Sequence, residues 1–183
     1  MVRLATPAAV STEPITLVEA KKHLEIATAD TTHDTHVTML ITAAREQWEH
    51  DTQSLVVSRA VTEQLESFPE STWRLFYRPA TAITSVKYYD SLNAQQTLAS
   101  SEYTLTPDGR LLLAVDKDWP DYTERWDSIE VIYVAGATPT IAKQAMLLQL
   151  DVMFELRGQT KEKDACIRAY ESLVARYQRS SYP

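Results

Sequence analysis

His33-Asp-Thr-His36 is the first stretch of the chain with the residue types of a metal site. Residues three apart share a helical face. The helical zinc pair of hydrolases, however, stands at four-residue spacing with a catalytic glutamate beside it, and no third ligand accompanies this pair. Asp34 suits the positive end of a helix dipole, so a polar first helical turn is the plainer reading. A small metal-dependent hydrolase using His33 and His36 is kept as the alternative function. Asp116-Lys-Asp118-Trp-Pro-Asp121 gathers three carboxylates and raises calcium. A calcium loop needs a glycine at its bend and a terminal glutamate, whereas Trp119-Pro120 fills the middle here, so a solvated loop anchored by tryptophan is expected.

Two further stretches invite a test. VIYVAGATPTIAKQ passes from an apolar run through Gly136 and Pro139 into a helical pattern, the order of a phosphate-binding loop. Such loops need several glycines so that backbone N–H groups approach the anion unobstructed, and the chain has three in all, Gly109, Gly136 and Gly158. Gly136 to Pro139 is therefore read as a hinge between two modules. Cys166 shares helical spacing with Tyr170 and Leu173, which places it in a core stripe rather than at a nucleophilic site. With no GxSxG elbow either, no catalytic residue, cofactor or metal is assigned, and a non-enzyme is expected.

The composition is that of a globular protein: 183 residues, 44% hydrophobic, formal charge -7. That acidity argues against a general duplex-DNA binder, which carries a basic footprint. Residues 137–183 differ, with seven basic against five acidic residues. The single cysteine excludes an internal disulfide and a CxxC motif and fits a reducing compartment. No apolar run approaches the roughly 20 residues of a membrane span, and the first ten residues lack the order of a signal peptide. Nine tyrosines and four tryptophans include Tyr122, Trp126, Tyr177 and Tyr182 in loops or near the C-terminus, residue types enriched at protein interfaces.

Positioning these residues requires the following elements. Residues 1–13 show no period and are expected as a flexible arm. Thr16-Leu-Val-Glu19 is a capping box opening a short helix to about Glu25, with Ile15 stapled against Ala20. Val37, Leu40, Ile41, Ala44 and Trp48 form the apolar stripe of a second helix to about His50. From Gln53 the period becomes that of strands: LVVSRAVTEQL, WRLFY, ITSVKYY, EYTLT, RLLLAV and IEVIYV, with Pro107-Asp-Gly109 as the clearest hairpin turn. Helical spacing returns at Pro139 and Thr140. Gly158 is expected to cap that helix, and a final helix carries Cys166, Tyr170, Leu173 and Tyr177. The expected fold is α+β: a helical framework from both chain ends, 14–52 and 137–183, with an inserted antiparallel β module of about six strands at 53–136.

The ordered series ITLVEAKKHLEI, HVTMLITAAREQWEHDT, FYRPATAITSVKYYD, QTLASSEYTL, the Trp119-Pro120 pair and SIEVIYVAGATPTIAKQAMLLQL resembles the head-tail connector (adaptor, head-completion) family of tailed bacteriophages and prophages. The likeness runs from about Ile15 to Leu156. It implies a structural virion protein, made in the bacterial host cytoplasm and placed in the neck between head and tail. There it would bind the portal protein as a homo-oligomeric ring, a dodecamer by the family's habit. The ring would extend the DNA channel, without sequence-specific DNA binding, and offer a docking surface to the next neck or tail protein, a stopper or tail terminator. The charge switch toward the C-terminus adds a portal contact through Arg176, Tyr177, Arg179 and Tyr182 as a hypothesis. The free chain is expected to be a monomer or weak oligomer.

Overall fold

The computed structural model describes residues 3–69, 72–154 and 160–180. The chain is α+β and divides into two compact units, one of Met1–Val10 with Ser58–Ala137, the other of Ser11–Val57 with Thr138–Pro183.

The second unit is helical: α1 (Leu17–His23), α2 (Asp34–Thr52), α3 (Thr140–Phe154) and α4 (Thr160–Ser180). The capping box forms as its residues dictate. Glu19 N–H donates to the Thr16 hydroxyl at 3.1 Å, and the Glu19 carboxylate accepts from Thr16 N–H at 2.8 Å. α1 ends two residues earlier than its pattern suggested, because Glu25 takes a left-handed φ of 57°. The buried cluster joins Ile15, Ala20, Val37, Ile41, Ala44 and Trp48 to Ala142, Ala145, Met146 and Leu150 of α3 and Tyr170 of α4. These are the stripes that helical spacing selects.

Two buried cations tie the irregular segments of this unit down. Lys21 Nζ donates to the backbone oxygens of Thr28 (3.0 Å) and Asp30 (2.6 Å) and to Asp34 Oδ1 (2.7 Å), so all three ammonium protons are used. Arg45 reaches Glu13 Oε2 and Glu49 Oε2, each at 2.9 Å, and the other Glu49 oxygen accepts Val56 N–H at 3.1 Å. Pairing a buried charge with hydrogen-bond acceptors is what makes its burial tolerable.

The first unit holds two sheets. The larger has the order β1 (Arg3–Pro7), β2 (Arg59–Leu65), β8 (Ile129–Ala135), β4 (Ala80–Tyr89), β5 (Gln95–Thr97), and every neighbour is antiparallel. The smaller has the order β3 (Trp73–Arg74), β7 (Arg110–Leu113), β6 (Tyr103–Leu105). β2 and β8 alternate buried and partly exposed side chains along their length, the period-two signature of a sheet with one face on the core. Gly109, at φ 79°, makes the turn between β6 and β7 where Pro107-Asp-Gly109 announced it.

One sequence expectation is corrected here and another is refined. Residues 3–7 of the expected flexible arm are β1, in register with β2 from Arg3 opposite Leu65 to Pro7 opposite Val61. An edge strand can hold by backbone bonds alone, and Glu13 is held by Arg45 and by the Thr42 hydroxyl. The described residues contain eight strands, seven of them between 59 and 135, in keeping with a module of about six. The addition in that region is β5, whose three residues are all exposed and polar and so carry no hydrophobic period.

Candidate protein-interaction surfaces

The described residues contain no group of three or more His, Cys, Asp or Glu placed to hold a metal. The His33 ring meets Phe154 edge-on at 5.7 Å and His36 lies 6.0 Å from the same ring, so both histidines pack around one phenylalanine. The 116–121 loop is anchored by tryptophan: Trp119 stacks on Phe68 at 4.4 Å and donates Nε1–H to the Pro69 carbonyl at 2.9 Å. No described helix is long and apolar enough to cross a membrane.

What remains is surface built for contact. α4 runs on past the core cluster, and its attachment is specific. The Tyr170 hydroxyl donates to Asp51 Oδ2 at 2.7 Å, and Gln178 Nε2 donates to the Asp51 carbonyl at 2.8 Å. Tyr177 lies on Trp48, with ring centroids 5.1 Å apart. Of the residues assigned to a partner contact, Arg176 is exposed while Tyr177 is half-buried on that tryptophan. The Arg179 side chain and Tyr182 lie outside the described residues, as does the expected cap at Gly158.

Asp51 is the anchor of α4, and its titration is a test of that role. Burial alone would raise its pKa. Hydrogen bonds from Gln47, Tyr170 and His50 outweigh burial and hold the carboxyl below its ordinary value. A depressed folded pKa contributes stability above the unfolded value and loses it as pH falls through the folded one. α4 is therefore expected to loosen only below about pH 4, read as faster backbone hydrogen exchange at residues 170–178. In Asp51→Asn the acid step should vanish; an unchanged acid profile in that variant refutes the assignment.

The β unit presents a second surface at the turn between β4 and β5. The Asp90 carboxylate accepts from Leu92 N–H and Ala94 N–H, each at 2.9 Å, and from Gln96 Nε2 at 2.8 Å. These bonds, the Ala94 one first, keep its pKa below the usual range. Asn93 completes the turn at φ 58°. The 123–128 loop is fastened beside it: Thr123 N–H donates to the Tyr89 carbonyl at 2.8 Å, and Arg125 donates to Asn93 Oδ1 at 3.1 Å while its guanidinium lies 4.1 Å above the Tyr89 ring. On this frame Leu92 is 87% exposed and Trp126 57% exposed.

A third feature is an open groove of about 580 Å³ in the helical unit, lined by His23 of α1, Gln144, Leu147 and Leu148 of α3, and Ala169, Ser172 and Leu173 of α4. Sequence reasoning placed Trp126 among interface residue types but missed Leu92 and the groove. Leu92 sits in a polar turn where no periodicity applies, and a groove between helices follows from packing.

A chain in the virion of a native gene transfer agent particle superposes with a TM-score of 0.74 at 18% identity, covering 96% of this chain and 95% of that one. The two chains share one fold. Chains in the neck of the empty particle, computed with C6 symmetry, and in the neck of the native particle, computed with C12 symmetry, are also similar. The first gives a TM-score of 0.68 at 19% identity over 85% of this chain and 86% of its own. The second gives 0.65 at 19% identity over 90% and 94%. No family model and no curated protein matches the sequence.

Proposed function

We propose that this chain is a structural, non-enzymatic subunit of the neck of a phage-like particle, an adaptor that forms a ring on the portal and receives the next neck or tail protein. The observation that carries the reading is the likeness to neck chains over at least 85% of both partners' lengths, which takes in both units. The symmetry of those necks, six-fold and twelve-fold, supports a ring and makes a dodecamer the expected count. An acidic chain suits a channel through which DNA slides, since negative walls do not adhere to phosphate.

Within this role, Arg176 with Arg179 and Tyr182 forms the portal contact, and Tyr177 serves it indirectly by seating α4 on Trp48. Gly136 and Pro139 stand where the chain leaves the β unit for the helical one. Gly136 takes φ 127° and donates its N–H to the Pro79 carbonyl at 2.9 Å, so a β-branched residue there is strained and should disturb ring assembly. The test of the role is imaging of particles made without this protein. DNA-filled heads that fail to join tails, rescued by the wild-type chain and poorly by Arg176→Glu with Arg179→Glu, are expected. Normal virions in its absence overturn the reading.

A further inference from the structure

We infer that copies of this chain join head to tail by seating the Leu92 and Trp126 tip of one copy in the helical groove of the next. The inference rests on the neck reading for the closure of the contact into a ring, but not for the contact itself.

The tip has the properties of an anchor rather than of an incidental apolar exposure. Tryptophan is over-represented among residues that dominate binding energy, and arginine accompanies it. Trp126 here has Arg125 beside it, held by a two-pronged pair with Asp127 and by the Tyr89 ring. The turn beneath Leu92 is fixed by the three bonds to Asp90. Little conformational freedom is left to lose on binding, which is the condition for an exposed side chain to bind well.

The groove is the complementary feature. Its volume of about 580 Å³ falls within the range that receives small ligands, and it is large enough for an indole and an isobutyl group together. Leu147, Leu148 and Leu173 make its lining apolar, and Ala169 and Ser172 add only small side chains to it. The charges match as well. Along the two loop stretches that carry the tip, residues 90–93 and 121–127, Asp90, Asp121, Glu124 and Asp127 stand against Arg125 alone. On α4, exposed Arg168 and Arg176 flank the groove residues, with Glu171 the one carboxylate between them. On α1 and α3 the rim carboxylate Asp151 is taken up by His23 at 3.0 Å. An acidic tip thus meets a rim that is basic on α4.

A second copy is the occupant that this chemistry favours, because knob and hole are both present on the one chain and on different units. A patch complementary to a pocket elsewhere on the same molecule makes a heterologous contact, which propagates from copy to copy and closes when the rotation allows. One tryptophan buries roughly 150–250 Å², and a specific interface needs roughly 1,200–2,000 Å² in total. The contact alone is therefore weak, and free chains should meet through it transiently.

Covalent trapping suits a transient contact. The purified full-length chain would carry Ser91→Cys, exposed beside Leu92 so that both tip side chains stay, with Ala169→Cys in a Cys166→Ser background, and would be oxidised at high concentration. A ladder of dimers, trimers and larger species is expected, forming at least tenfold faster than with Ser91→Cys and Met39→Cys, since Met39 is exposed on α2, which contributes no lining residue to the groove. Melting curves like that of the parent verify that the surface substitutions leave the fold intact. A ladder no faster than the Met39 control, or dimers only, overturns the contact. Failure here alongside tail-less heads in the particle experiment removes the contact and leaves the neck role standing; a ladder alongside normal virions does the reverse.

Discussion

Glu63→Ala is expected to cost the β unit about 3–5 kcal/mol, the scale of leaving several buried donors without their acceptor. Glu63 is fully buried on β2, opposite Ala5 of β1 and Val131 of β8. Its Oε1 accepts Trp73 Nε1–H at 2.9 Å, and its Oε2 accepts Phe76 N–H at 3.0 Å and the Tyr133 hydroxyl at 3.2 Å. The Tyr133 oxygen accepts Tyr77 N–H in turn, at 3.0 Å. One carboxylate therefore organises Trp73 through Tyr77, the stretch that includes β3 of the small sheet.

Truncation leaves each donor buried without its acceptor, at about 1–3 kcal/mol apiece before relaxation and entry of water. Glu63→Gln keeps one carbonyl oxygen of the same shape and should lose roughly half as much, because neutral acceptors bond less strongly than ionised ones. Urea unfolding read by tryptophan emission is informative here, since Trp73, Trp119 and Trp126 all belong to the β unit. A loss below about 1 kcal/mol for the alanine variant would show that the network is dispensable.

Glu63 also shows where the sequence was more legible than the reading made of it. In Val61-Thr-Glu63-Gln-Leu65 the acid holds the same period-two phase as its apolar neighbours, so the strand pattern itself puts it on the buried face. Tyr177 is a similar case. Its spacing from Tyr170 and Leu173 marks it as part of the inward stripe, and Trp48 is where that stripe leads.

Other parts of the fold left no such trace. β1 pairs with a strand almost sixty residues away, and Leu4-Ala-Thr-Pro7 shows no contrast between its faces. β5 is held to β4 by backbone bonds through Gln95, Gln96 and Thr97, which any side chains could flank. By contrast, the capping box at Thr16, the stripe of α2 and the turn at Gly109 could be read directly. Each depends on residues within a few positions of one another. The candidate surfaces divide in the same way, since Trp126 is suggested by its type while the loop of Leu92 is joined to that of Trp126 only by bonds between distant residues.

Trp48→Ala should be the most damaging change in the helical unit, at about 3–5 kcal/mol for removal of a fully packed aromatic side chain. Trp48 is entirely buried at the meeting of α2 with the other helices, and its Nε1–H has no hydrogen-bond partner among the described residues. That unpaired N–H makes Trp48→Phe informative. The smaller ring keeps most of the packing and removes a donor buried at a cost, so its net loss should stay under about 1.5 kcal/mol.

The two variants differ in what they do to α4. Alanine removes the surface on which Tyr177 rests, whereas phenylalanine retains an aromatic face for it. Hydrogen exchange at residues 170–178 should accelerate in Trp48→Ala by more than the global loss of stability explains, and hardly at all in Trp48→Phe. If α4 exchanges only in step with global unfolding in both, Trp48 is a core residue and not the seat of α4. Otherwise a buried residue of α2 governs how firmly Arg176 is presented. Trp48→Ala should then lower occupancy on DNA-filled heads as Arg176→Glu does, although it changes no surface charge.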